Sequence, residues 1–269
     1  MDFYRPGNNF PAVSVTGTRC QLNCPHCEAR YLEGMKAVDT PEELYRLAIG
    51  LAEKGRKGFL LSGGCDIQGK VPVEEYLEVI GNIKDDTDLM INLHTGWIDE
   101  DMAVKVADTG VDVVSYDMIG SRDTIYGIYG IDLGPKDIKE GYRALESLDV
   151  TVVPHITVGL DRGEIKGEFN AVDLVSDSRR SIINSLIPSK SFGHSIGDED
   201  FMAVLKYARD EIEEKIIIGC MRERGRPDLE ISALELGVDG IVMPSKKTVE
   251  WAEKHSSIQW YEGCCAVYT

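Results

Sequence analysis

The sequence predicts a single (β/α)8 barrel of the TIM type, and three observations carry that expectation. Short apolar runs of strand character alternate with longer stretches of helical periodicity along the whole chain. Eight such pairs can be counted, and 269 residues suit one barrel better than two small domains. No Pro/Gly/Ser-rich linker, low-complexity tract or repeat interrupts the series, so residues 1–269 read as one domain.

The first strand is expected at Ala12 to Thr16, an apolar alternating run, with its helix at Pro41 to Lys54. Gly58 to Leu61 and Leu89 to Leu93 are compact apolar runs, each followed by a helical pattern, Val73 to Lys84 and Asp99 to Asp108. Val111 to Tyr116 precedes the helix at Pro135 to Leu148, and Val150 to Val158 precedes Phe169 to Asp177. Ser181 to Ile187, Lys215 to Gly219 and Gly240 to Met243 complete the strands. Their helices are Asp198 to Glu214, Arg226 to Leu236 and Ser245 to Lys254. Strict alternation implies parallel strands joined by right-handed crossovers, with a doubly wound open sheet as the alternative. Ser257 to Thr269 lies beyond the eighth unit and reads as a tail over the barrel mouth.

Charge excludes one class of partner. With 29 basic and 46 acidic residues the net charge is −17, which repels a phosphate backbone, so no nucleic acid is expected. The start of the chain lacks the apolar core of a signal peptide and no stretch has the apolar length of a membrane span. A cytoplasmic location without membrane contact is therefore expected. Seven cysteines in a reducing compartment favour metal ligation or reactive thiols over disulfides.

Three of those cysteines form Cys20-x3-Cys24-x2-Cys27 just after the first strand. Short unequal gaps let one turn of backbone aim three sulfurs at one point, which suits an iron-sulfur cubane better than a disulfide. Three ligands leave one iron of a four-iron cluster open to a small molecule. A zinc-binding scaffold is the rival reading, but the run lacks an evident paired knuckle. On the strand map, Cys65 follows the second strand and Cys220 the seventh, while Cys264 and Cys265 end the tail. Loops after strands are where barrel active sites lie.

The triplet resembles the signature of the radical S-adenosylmethionine (radical SAM) superfamily, C-x3-C-x-aromatic-C, with His26 in the aromatic slot. The resemblance implies a four-iron, four-sulfur (4Fe-4S) cluster on Cys20, Cys24 and Cys27. Its open iron would take the amino and carboxylate groups of S-adenosylmethionine, whose reductive cleavage gives a hydrogen-abstracting 5'-deoxyadenosyl radical. Ser62, Gly63 and Gly64 stand where the family places a Gly-Gly-Glu-like element that receives the methionine amine, with Cys65 in place of the acid. Glycine there lets a ligand approach the backbone.

The remaining chain resembles the biotin-synthase-like group. The segment from Gly110 to Met118, followed by Tyr126-Gly-Ile-Tyr-Gly130, looks like the region that holds ribose and methionine, with Ser115 and Asp117 at the matching positions. His155, in Val153-Pro-His-Ile-Thr-Val-Gly-Leu, matches the element lying against adenine and reads equally as a barrel-core histidine. His94 ends the third strand facing the same mouth. Phrases such as Ser14-Val-Thr-Gly-Thr, Leu61-Ser-Gly-Gly-Cys-Asp and Gly219-Cys-Met-Arg are most similar to the archaeal two-component lipoyl synthases.

That resemblance implies radical sulfur insertion into an octanoyl chain on a carrier protein, with a companion component and an electron donor such as ferredoxin. It also implies an auxiliary iron-sulfur cluster drawn from Cys220, Cys264, Cys265 and Cys65. The strand-three and strand-five cysteines of biotin synthase are not matched, nor is the N-terminal auxiliary run of bacterial lipoyl synthase. Another biotin-synthase-like radical enzyme, a methylase or mutase, is the alternative within the family. Trp251 and Trp260 read as packing residues.

Overall fold

A computed structural model describes residues 1–189 and 191–267. Its strands are β1 (Asp2–Tyr4), β2 (Ala12–Ser14), β3 (Lys36–Ala37), β4 (Gly58–Ser62), β5 (Met90–His94), β6 (Val113–Asp117), β7 (Val152–Val158), β8 (Arg180–Ser185), β9 (Lys215–Ile218), β10 (Gly240–Val242) and β11 (Gln259–Tyr261). The helices are α1 (Pro41–Glu53), α2 (Leu77–Asp86), α3 (Glu100–Ala107), α4 (Arg122–Thr124), α5 (Pro135–Ser147), α6 (Glu168–Leu174), α7 (Asp198–Glu211), α8 (Pro227–Glu235) and α9 (Lys246–His255). Side-chain caps set several helix starts: Thr40 accepts from the Glu43 N–H, Asp99 from Met102 and Ser245 from Thr248.

All strands join one parallel sheet in the order β11-β1-β10-β9-β8-β7-β6-β5-β4-β2-β3. The eight expected strands are present in sequence, but the sheet differs from a closed eight-stranded barrel. β2, expected first, pairs with β3 and β4, and β10, expected last, pairs with β9 and β1. The three additional strands are two or three residues long, too short to show a period in sequence.

The sheet curls into a half-barrel because its two faces bury different things. Phe59, Leu61, Ile91, Leu93, Val114 and Ile183 face the helices and pack with residues such as Leu44, Ile80 and Val106. Alternating with them, Tyr4, Val113, Val153, Ile182, Ile217 and Val242 face inward and form a second cluster. Only a curled sheet brings residues of β1, β6 and β9 together on one face.

Cys265, Ala266 and Val267 belong to that inner cluster. The tail thus follows a different path from the expected cover over the mouth. β11 extends the sheet beside β1, Tyr261 stacks on Tyr4 at 5.1 Å, and the following residues enter the lumen. Arg180 holds them there by donating to the carbonyls of Cys265 (2.7 Å) and Val267 (3.0 Å). Burying three small apolar side chains and satisfying two carbonyls explains why the interior position wins. The last two residues of the expected tail lie outside the described residues. Among the described residues no helix is long and apolar enough to cross a membrane.

Candidate active site

The cysteine loop follows β2. Asn23, Glu28 and Ala29 adopt left-handed φ values of 43°, 51° and 57°, strain of the kind that accumulates in functional loops. The Cys24 carbonyl accepts from the N–H groups of Cys27 (3.0 Å) and Glu28 (2.7 Å), so the chain coils on itself with three thiols on one short turn. The end of β4 supports this turn. Thr16 Oγ1 accepts from the Gly64 N–H at 2.7 Å, and the Cys65 carbonyl accepts from the Gln21 N–H at 2.8 Å. A Cβ on Gly64 would lie 2.1 Å from the Arg19 carbonyl oxygen and 2.6 Å from Cys20 Cα. Glycine at 64 is therefore demanded by the loop's close approach. Burial pushes the Cys24 thiol up to about 12, with the neighbouring Cys20 and Cys27 adding to it. Burial also raises Cys27 and Cys65.

Beside the loop, three imidazoles surround one carboxylate. Ser62 Oγ lies 3.1 Å from His94 Nδ1, and His94 Nε2 lies 3.2 Å from Asp117 Oδ2. Burial opposes charge on both partners, yet their attraction raises His94 and holds Asp117 below the usual carboxylate range. His155 donates Nδ1–H to the Val153 carbonyl at 3.0 Å, which fixes its tautomer and leaves Nε2 unused by that bond. Burial lowers His26 to about 4, so its ring is neutral at pH 7. Its buried Nδ1 has no hydrogen-bond partner, and its ring meets Tyr129 edge-on at 5.3 Å. Trp97 packs on Tyr129 at 5.0 Å and donates Nε1–H to the Asp117 carbonyl at 3.0 Å.

Cys220, Cys264 and Cys265 form a second neighbourhood, in which the charge of Cys264 raises both Cys220 and Cys265. Asn92 Nδ2 donates to Cys264 Sγ at 3.4 Å, and Ser115 Oγ donates to Asn92 Oδ1 at 2.9 Å. A hydrogen bond from the Cys265 thiol draws Cys264 down and pushes Cys265 up. Cys65 lies elsewhere, against Cys20 and Cys24. Arg222 is buried and bonds to the carbonyls of Gly219 and Val242 and to Glu230 Oε1 at 2.8 Å. Arg224 likewise donates to the Cys220 carbonyl at 2.9 Å.

Residues 14–166 match the family profile of the radical SAM superfamily. The chain belongs to this superfamily. Solved structures of low identity share its fold. They include the FeFe-hydrogenase maturase HydG from Carboxydothermus hydrogenoformans, at 16% identity and a TM-score of 0.62, covering 92% of this chain and 61% of that one. Methylornithine synthase (PylB) is similar at 15% identity and a TM-score of 0.59, over 88% of this chain and 72% of that one. SuiB from Streptococcus suis, solved with S-adenosylmethionine, follows at 11% and 0.57, over 94% and 52%. The chain spans about three-fifths of the maturase's length and about half of SuiB's. No curated protein matches it.

The residues fit the group that radical SAM membership implies. Among the described residues no three His, Cys, Asp or Glu side chains converge as one metal ion requires. A cubane makes a different demand, since each thiolate binds a separate iron at a separate corner. The strained three-thiol turn, the glycine-lined approach at Gly64 and the unpartnered His26 Nδ1 suit such a cluster with its ligand. The structure thus gathers Cys20, Cys24, Cys27, Cys65, His26, Ser62, Gly63, Gly64 and Asp117 at one end of the lumen. Ser115 lies deeper, tied through Asn92 to Cys264. Trp97, Asn92 and Arg180 were not singled out in sequence. Asn92 is a polar residue inside an apolar strand, which is the one signal that marks it, whereas Arg180 opens β8 next to Arg179 and carries no such signal.

Proposed function

We propose that this radical SAM chain inserts sulfur into an aliphatic carbon of an octanoyl group held on a carrier protein, in the assembly of the lipoyl cofactor. A companion protein of the same kind and a ferredoxin-like donor complete the proposed system, in the reducing environment of the cytoplasm. The observation that supports this reading is a second set of thiols, Cys220, Cys264 and Cys265, beside the strand that carries His94. Asn92, which touches Cys264, lies two residues before His94 on the same face of β5, about 7 Å along the strand.

When bound on Cys20, Cys24 and Cys27, the cluster with S-adenosylmethionine supplies one-electron cleavage and hydrogen abstraction from unactivated carbon. The chain's residues provide placement. Gly63 and Gly64 would offer backbone to the methionine end, Ser115 and Asp117 would hold the ribose and methionine, and His155 would lie against the adenine, with His26 beside the cysteine turn. Cys220, Cys264 and Cys265 would hold the auxiliary cluster that yields sulfur, with Cys65 nearer the first cluster. Ala266 and Val267 are buried in the inner cluster, where they would exclude water from the lumen.

One observation favours a second reading. Cys265 is 4% exposed among Tyr4, Ile182 and Val242, as expected of a thiol acting as a small hydrophobe. The chain would then be a methylase or mutase without a sulfur donor. Anaerobic incubation with octanoylated carrier peptide, S-adenosylmethionine and reductant separates the two. A mass gain of one sulfur, lost in Cys220→Ala, supports sulfur insertion. Octanoyl peptide unchanged with and without the companion protein, in a preparation with about four irons per chain rather than about eight, rejects it.

A further inference from the structure

Met243, Pro244 and Ser245 turn the chain from β10 into α9. Met243 adopts a left-handed φ of 48°, a conformation at which glycine is at ease and a side chain is not. The position nevertheless carries a long apolar side chain, and that side chain is 50% exposed. Strain and exposure both cost free energy, and a half-exposed thioether recovers little of it by burial. The surrounding structure holds the residue there. Its N–H donates to the Tyr4 carbonyl at 2.8 Å, and its own carbonyl accepts from Arg224 at 3.2 Å and from Arg222 at 3.3 Å. Backbone strain imposed in this way clusters at ligand sites.

The turn lies at the mouth of the lumen, beside the second thiol set. Val242, the preceding residue, belongs to the inner cluster with Cys265, and Cys264 packs against that cluster. Arg224 ties Met243 to the neighbouring strand end, because the guanidinium that donates to the Met243 carbonyl also donates to that of Cys220 at 2.9 Å. Cys220 is exposed as well. We propose that Met243 is a specificity-determining residue, whose side chain forms the apolar wall along which the aliphatic chain of the substrate reaches Cys220 and Cys264. The inference rests on the octanoyl reading and adds to it the residue that sets the preference for a long chain. An alkyl chain makes no hydrogen bonds, so contact with apolar surface is what distinguishes a long chain from a short one. Methionine suits that contact, being unbranched, polarizable and able to adapt to a ligand with many rotamers. Glycine, which the turn favours, would leave the wall open.

Equilibrium binding to cluster-loaded protein under anaerobic conditions tests this, with one carrier peptide whose lysine bears an octanoyl group, a butanoyl group or no acyl group. The parent protein is expected to bind the octanoyl peptide most tightly. Met243→Gly reduces the preference for octanoyl over butanoyl about 10-fold and leaves the butanoyl peptide within about twofold. Its melting temperature does not fall, because glycine takes the left-handed turn without strain. Met243→Leu restores an apolar side chain and keeps the preference within about threefold. The proposal is overturned by a glycine variant that keeps the preference, by one whose melting temperature drops together with it, or by a leucine variant that loses as much as the glycine one. A parent protein that binds octanoyl peptide no better than unacylated peptide refutes the octanoyl reading itself.

Discussion

On the β2 to β6 flank of the lumen, Ser62, His94 and Asp117 bond chiefly to one another, and His155 keeps one ring nitrogen out of its main-chain bond. On the β8 to β10 flank the polar groups are committed to main chain. Arg180 holds the carbonyls of Cys265 and Val267, and Arg222 and Arg224 hold those of Gly219, Cys220, Val242 and Met243. The difference lies in where the hydrogen bonds go, side chain to side chain on one flank and side chain to main chain on the other, as the proposed ligand-facing and scaffold roles require.

The largest expected effect tests the ligand-facing flank. Cys24→Ala removes one of three cluster thiolates, so iron falls by about four per chain and reductive cleavage of S-adenosylmethionine drops to background. Iron and sulfide assays with product chromatography check it. Gly64→Ala comes next, because its new Cβ would sit 2.1 Å from the Arg19 carbonyl oxygen and displace the cysteine loop. Cleavage is expected to fall about 100-fold, the cost of a misplacement near 1 Å, with little change in melting temperature. A large melting shift would place Gly64 with the scaffold.

On the opposite flank, substitutions should act on stability. Arg222→Met strands Glu230, whose side chain is 6% exposed, and is expected to cost about 3–5 kcal/mol in denaturant unfolding. Arg180→Met leaves two buried carbonyls without that donor, at about 1–3 kcal/mol. It also frees the tail, which raised proteolysis after Tyr261 would report. The smallest effect is a pH dependence. Burial works against ionised Glu230, but hydrogen bonds from Thr248, Arg222 and the Ser245 N–H outweigh it and hold the group below its ordinary range. A lowered carboxyl contributes stability that is present above the unfolded-state value and is lost as pH falls through the folded one. Unfolding of the parent protein from pH 6 to pH 3 should show this loss, and Glu230→Gln should flatten it.

Much of the first site was legible because its information is local. Cys20, Cys24, Cys27 and His26 lie within eight consecutive residues, and Gly63 and Gly64 mark a close approach at a strand end. The eight main strands were legible because each is a buried apolar run. Edges β1, β3 and β11 were not, since two or three residues carry no period. The seven thiols were visible in sequence, but their division into Cys20, Cys24, Cys27 and Cys65 against Cys220, Cys264 and Cys265 was not.

By itself the sequence determined the alternating parallel architecture and the short spacing that puts three thiols in one loop. Periodicity and short spacing act over a few residues and need no partner from elsewhere. Only the tertiary structure decided that the sheet stays open as a half-barrel and that the tail fills its lumen. It alone also decided that His94 joins Ser62 to Asp117 while Arg222 serves the scaffold. Those outcomes depend on pairings between residues far apart in sequence, as between Asp2 and Gln259 or between Arg180 and Val267, and are settled by which burial satisfies the most polar groups.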